Sequence, residues 1–141
     1  MKMKAIVLMS LLCVVVATTA CAQKVKAPEA VLKAFNAKFP GATDVKWGKE
    51  NSKEYEAEFK LNNTAVSANF GLDGSWKETE TTIKAADLPT PVVNAVKAKY
   101  PAGVITLAEK VEKPGKTYYE TIVKSNGKKK EIEISADGKI M

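Results

Sequence analysis

The chain has 141 residues, a formal charge of +6, 22 basic residues that are all lysine, and no histidine. Without His there is no usual general base near neutral pH and no Ser-His-Asp or Cys-His nucleophile arrangement. With Cys13 and Cys21 as the only cysteines, N/S-ligand zinc sites are set aside as well. Without Arg there is no planar fork for bidentate phosphate or carboxylate capture, and no glycine-rich phosphate loop occurs. These absences argue against an enzyme, and no catalytic, metal or cofactor-binding residue stands out.

The N-terminus reads as an export signal over residues 1–22. Lys2 and Lys4 form a basic start, 5–17 is apolar apart from Ser10, and small residues follow. The apolar run is shorter than the roughly 20 residues a membrane span needs. Two processing routes stay open. Ala20-Cys21-Ala22 is an A-x-A site that frees Gln23, giving a periplasmic or secreted protein. Thr19-Ala20-Cys21 also resembles a lipobox, which would lipidate Cys21 and anchor the protein to the envelope. Thr18, where lipoboxes usually carry Leu, favours the first route.

Residues 23–141 read as a single domain built from two repeats, about 28–83 and 84–141. Pro28 opens a helix with Val31, Leu32, Phe35 and Phe39 on one stripe, stopped by Pro40-Gly41. A short strand at 44–49 precedes a hairpin. Glu54 to Leu61 alternates with period two, placing Tyr55, Ala57, Phe59 and Leu61 inward, and Asn62-Asn63 turns the chain. Val66, Ala68 and Phe70 point inward on the return, and Asp73-Gly74 leads to a strand from Trp76 to Ile83. The pattern then recurs. Pro89 and Pro91 open a helix with Val92, Val93, Val96 and Tyr100, ended by Pro101. A strand at 104–110 follows, and residues 109–116 read as a loop. The Asn126-Gly127 hairpin is a strong type I′ signal. Asp137-Gly138 begins a last strand cut short at Met141. Matching turns and apolar positions at offsets of 61 and then 64 make these two units of one supersecondary structure.

The helix-ending Phe39-Pro40-Gly41 and Tyr100-Pro101, the Asn126-Gly127 hairpin and the two Asp-Gly turns, in this order and repeated, resemble the PepSY-like, β-lactamase-inhibitor-like proteins of the bacterial envelope. The resemblance implies an α+β fold. Tandem units of a helix followed by antiparallel strands would form one curved antiparallel sheet, with the helices packed on one face. It also implies a small exported binding or inhibitory module with no catalytic residues.

Charge differs between the halves: 7 Lys against 9 acids over 28–83, and 11 Lys against 7 acids over 84–141. The expected outer sheet face is acidic in the first half, through Glu54, Glu56, Glu58, Glu78 and Glu80. In the second half it is basic, through Lys124, Lys128, Lys129 and Lys130. Alternating Glu on a strand suits a solvated face, and the calcium-loop spacing of carboxylates is missing. Lysines beside a tight turn also discourage edge pairing. Export and the missing Arg oppose nucleic-acid binding. Five residues are candidates for partner contact: Trp47 and Trp76, for which a core position is the default reading and an exposed anchor the alternative, Tyr118, and Lys128 and Lys130. Tyr118-Tyr119 puts one ring on each face of its strand, so one lies outside the helix-covered core. The expected function is a non-enzymatic envelope module recognising an unidentified protein or peptide on its exposed sheet face, touching the membrane only if lipidated at Cys21. Alternatives are an inhibitor of an exported protease or cell-wall hydrolase, inserting a loop such as 109–116, and a structural lipoprotein.

Overall fold

The computed structural model describes residues 25–141. The expected signal segment and Cys21 lie outside the described residues. Helices α1 (Glu29–Lys38) and α2 (Thr90–Lys99) each follow a proline, Pro28 at φ −58° and Pro89 at φ −55°, whose ring presets the entry. Glu29 in the first turn of α1, with Lys38 in its last and Lys97 and Lys99 in the last turn of α2, oppose the helix dipoles. Each helix closes alike: the Phe39 N–H donates to the Phe35 carbonyl and the Tyr100 N–H to the Val96 carbonyl, both at 2.8 Å.

Strands β1 (Thr43–Lys49), β2 (Glu54–Leu61), β3 (Thr64–Gly71) and β4 (Trp76–Ile83) follow α1. Strands β5 (Val104–Lys113), β6 (Lys116–Ser125) and β7 (Lys128–Ser135) follow α2. All seven form one open antiparallel sheet in chain order. Asn62-Asn63 and Asn126-Gly127 hold φ of 51°, 63°, 50° and 73°. These are the paired positive values of a type I′ hairpin. The halves are stitched by β4 and β5, which pair directly from Thr79↔Glu112 to Ile83↔Ala108.

Both helices cover the same face. Ala68 lies opposite Thr79, Thr79 and Ile83 share one side of β4, and Ile83 lies opposite Ala108. On that face α1 buries Val31 and Phe35 with Phe39, Ala57, Phe59, Val66, Ala68 and Phe70. The Phe35 ring meets Phe59 edge-on at 5.0 Å and Trp47 at 5.2 Å. Under α2 a smaller, aliphatic core joins Val92 and Val96 to Ala108, Val123, Ile132 and Ile134. An Asp-Gly turn presses on the start of each helix. A Cβ on Gly74 would stand 2.6 Å from the Ala30 carbonyl oxygen, and one on Gly138 would stand 2.7 Å from that of Pro91.

One expectation is corrected. Residues 109–116 are not a loop: Lys113 pairs with Lys116, leaving only a turn at Pro114-Gly115, with Gly115 at φ 72°. The charges that made the segment look solvated alternate along β5, and Val111 among them is completely buried. A register shift between Ile105 and Leu107 breaks the period that would have shown the strand continuing. The short final strand is observed as a single bridge, Ile134↔Ile140.

Candidate functional site

Strand alternation aims the remaining side chains of β2–β7 at the face away from the helices, which no described element of the chain covers. Register fixes their rows. Glu58 lies opposite Ser67, Ser67 opposite Glu80, Glu80 opposite Val111, Val111 opposite Tyr118 and Tyr118 opposite Ser135. The next row joins Thr82, Glu109, Glu120 and Glu133 across β4 to β7. Beyond it Leu107, Ile122 and Glu131 are aligned. On the other side of the first row lie Glu56, Asn69 and Glu78.

The floor of this face is apolar although no helix packs on it: Val111 is 0 % and Tyr118 4 % exposed. Neighbouring long side chains do the covering. Lys113 and Lys116 lie over the Tyr118 ring, at 5.6 and 5.0 Å from its centre, and Lys113 also pairs with Glu78. A depression of about 260 Å³ beside this row is lined by Glu58, Ser67, Glu80, Thr82 and Glu109. Ser67 Oγ donates to Glu80 Oε2 at 3.2 Å and Thr82 Oγ1 to Glu109 Oε1 at 3.4 Å.

Burial, and after it the crowding of carboxylates, raises the proton affinity of these groups. Glu120 is pushed up to about 8 by burial and then by Glu131, Glu80, Glu109 and Glu133. Glu56 is raised to about 7 by burial and then by Glu50, Glu58 and Glu80. Glu80 rises through burial, against the pull of its Ser67 hydrogen bond, and Glu109 through burial and then Glu80. Burial and four surrounding glutamates also hold the Tyr118 phenol in its neutral form. Among the described residues no three acidic side chains converge as a metal site requires.

The sequence-derived candidates fall in three places. Tyr118 is on the open face, at its buried floor. Trp47 and Trp76 lie on the helix face, packed against the α1 core, where Trp76 Nε1 donates to Thr79 Oγ1 and Lys38 Nζ sits 3.8 Å above the indole. Lys128 and Lys130 are exposed at the start of β7, and the pairing of Lys130 with core residue Val123 puts them on the helix side. In its second half the open face is mixed rather than basic: Glu109, Glu120, Glu131 and Glu133 carry acidic rows across β5 to β7, with Lys113, Lys116, Lys124 and Lys129 around them. The alternation of β6 and β7 contained this signal, but lysine counts obscured it because they ignore which side each lysine takes.

The PepSY-like family model, described as "Putative beta-lactamase-inhibitor-like, PepSY-like", matches residues 22–67 and 53–141. The chain belongs to this family. Its fold is shared with three solved structures, each 24 % identical to it. A DUF2874 family protein from Bacteroides uniformis gives a TM-score of 0.76, covering 82 % of this chain and 87 % of the other. A protein from Bacteroides eggerthii, provisionally assigned to the periplasm, gives 0.75 over 83 % and 87 %. A β-lactamase-inhibitor-like protein from Bacteroides fragilis gives 0.72 over 83 % and 84 %. No curated protein matches the chain by sequence.

Proposed function

We propose that this protein is a non-enzymatic binding module of the bacterial envelope that recognises a protein or peptide on its open sheet face. The observation that carries the proposal is a sheet face that no described element covers, where partly exposed Leu107 and Ile122 stand beside rows of polar side chains over a buried floor of Val111 and Tyr118. An apolar centre inside a polar rim is the anatomy of a protein-binding surface. Two copies of one helix-and-strands unit would build this face, their helices occupying the other side and leaving it free along its length. The family description makes inhibition of an exported enzyme one form such binding could take, acting through the face rather than through an inserted loop. Residence in the envelope agrees with the description of the Bacteroides eggerthii protein.

The test is affinity capture from the native envelope with two variants beside the wild type. Thr82→Trp places bulk on the open face, and Lys97→Trp places it on α2. Capture lost in the first and kept in the second supports the proposal. Capture lost only in the second would place the binding surface on the helices and overturn it.

A further inference from the structure

We infer that the open face takes a cationic extended segment, a Lys- or Arg-bearing stretch of an envelope protein. This rests on the proposed role of that face as the binding surface. Three observations converge on it.

The first is the register of like charges. Glu109, Glu120 and Glu133 stand directly opposite one another on β5, β6 and β7, with neighbouring strands about 5 Å apart. Like charges placed opposite each other destabilise a sheet. Composition does not force this arrangement, because basic residues outnumber acidic ones 22 to 16 in the chain. The lysines of this face, Lys46, Lys60, Lys113, Lys116, Lys124 and Lys129, lie around the glutamates rather than between them. Among the described residues, Glu78 is the one glutamate of the Glu56, Glu58, Glu78, Glu80, Glu109, Glu120, Glu131 and Glu133 surface that is held in an ion pair.

The second is a shortage of donors. Asn69, between Glu56 and Glu78 in register, has its Oδ1 buried with no hydrogen-bond partner among the described residues. A face whose carboxylates, Glu78 apart, have no cationic partner among the described residues is complemented by N–H donors carrying positive charge.

The third is shape. The carboxylates are spread along rows on five strands, β2 and β4 to β7, and no three converge on a point, so the complement is a chain of cations rather than a single ion. In an extended segment, alternate side chains repeat about every 7 Å on one side, which matches Glu56 and Glu58, Glu78 and Glu80, and Glu131 and Glu133, each two residues apart along its strand. The aliphatic stems of lysine or arginine would lie on Leu107 and Ile122, both partly exposed, while their heads reach the carboxylates.

The probe is a fluorescein-labelled dodecapeptide of alternating Lys and Ser, titrated into the purified protein and read by fluorescence anisotropy, with a Glu-Ser peptide as control. The Lys peptide binds and the Glu peptide does not. Its affinity falls at least about tenfold between roughly 0.05 and 0.5 M salt, as screening shortens the reach of the charges. It falls at least about tenfold in the triple variant E80Q/E109Q/E120Q and is unchanged in K128Q/K130Q, whose lysines lie on the helix side. Thermal melts confirm that both variants are folded. No binding of the Lys peptide, equal binding of the Glu peptide, or full affinity in the E80Q/E109Q/E120Q variant overturns the inference. If the peptide fails but Thr82→Trp still abolishes envelope capture, the cationic partner is wrong and the open-face function stands. If Thr82→Trp also leaves capture intact, both fall. Sedimentation that shows copies of the chain paired through this face would make a second copy the occupant and would likewise overturn the inference.

Discussion

Glu120 illustrates how a single side chain reports the character of its surroundings. Its carboxyl, raised to about 8, binds a proton more tightly in the folded protein than in the unfolded chain, where it returns to an ordinary value near 4.5. Glu56, raised to about 7, behaves alike. The folded state therefore holds more bound protons than the unfolded state between about 4.5 and 8. Stability falls as pH rises through that window. Asp73 and Asp137 carry the opposite sign, lowered chiefly by hydrogen bonds from Ser75 and Ser135, and act only at lower pH, where their contribution is lost as they protonate. Thermal melts should show the midpoint dropping from pH 5 to pH 8, and Glu120→Gln should flatten that slope and raise the midpoint at pH 8. An unchanged slope in the variant would mean that Glu120 is solvated in the folded protein.

The glycines of the turns discriminate at the same scale. Gly138 and Gly115 both hold positive φ, 88° and 72°, but only Gly138 presses on a helix, against the Pro91 carbonyl. Alanine at Gly115 should cost about 1–2 kcal/mol from the left-handed backbone alone. Alanine at Gly138 should cost clearly more, because Cβ must also displace backbone. Urea melts of the two variants give the comparison, and equal costs would show that the turn yields without strain.

At the scale of elements, period and punctuation carried most of the information in the sequence. Proline placed both helix starts, the paired Asn and Gly residues placed both hairpins, and the period-two alternation of β2 placed Ala57 and Phe59 in the core. What the sequence obscured was physical. Residues 109–113 are nearly all charged, and only pairing with β4 and β6 makes a strand of them and buries Val111. Trp47 and Trp76 could have been anchors, since an aromatic on a strand does not declare its side until register is known. The acidic continuity of the open face was present in the alternation of β6 and β7 but was hidden by the lysine excess of that half. The outer edge of β7 carries one further consequence. The backbone of Met141 donates to Glu133, and Ile140 bridges Ile134, so one end of the edge is closed. The other end holds Lys128, Lys129 and Lys130. Replacing all three by Gln should change stability by no more than about 0.5 kcal/mol. It should also increase self-association in sedimentation experiments, since charge on an edge strand opposes pairing. A variant that stays monomeric to high concentration would contradict this role.

For the whole molecule, the β4–β5 pairing joins two helix-covered cores under one continuous sheet. Splitting them would expose the Thr79 to Ile83 ladder, so unfolding should be a single transition. Val96→Asp, which buries an unpaired charge where the side chain is 2 % exposed, should unfold residues 28–83 together with the rest. A protease-resistant fragment covering 28–83 would show instead that the first half stands alone. The same construction separates two faces: the helix side supplies stability, and the other side carries the proposed binding surface. Carboxyl footprinting tests this most directly, by carbodiimide labelling of the free protein and of its complex with captured envelope material. Glu80, Glu109, Glu120, Glu131 and Glu133 should be protected in the complex, while Glu29 and Asp87 label as in the free protein. Protection of Glu29 and Asp87 with full labelling of the five open-face glutamates would contradict the account.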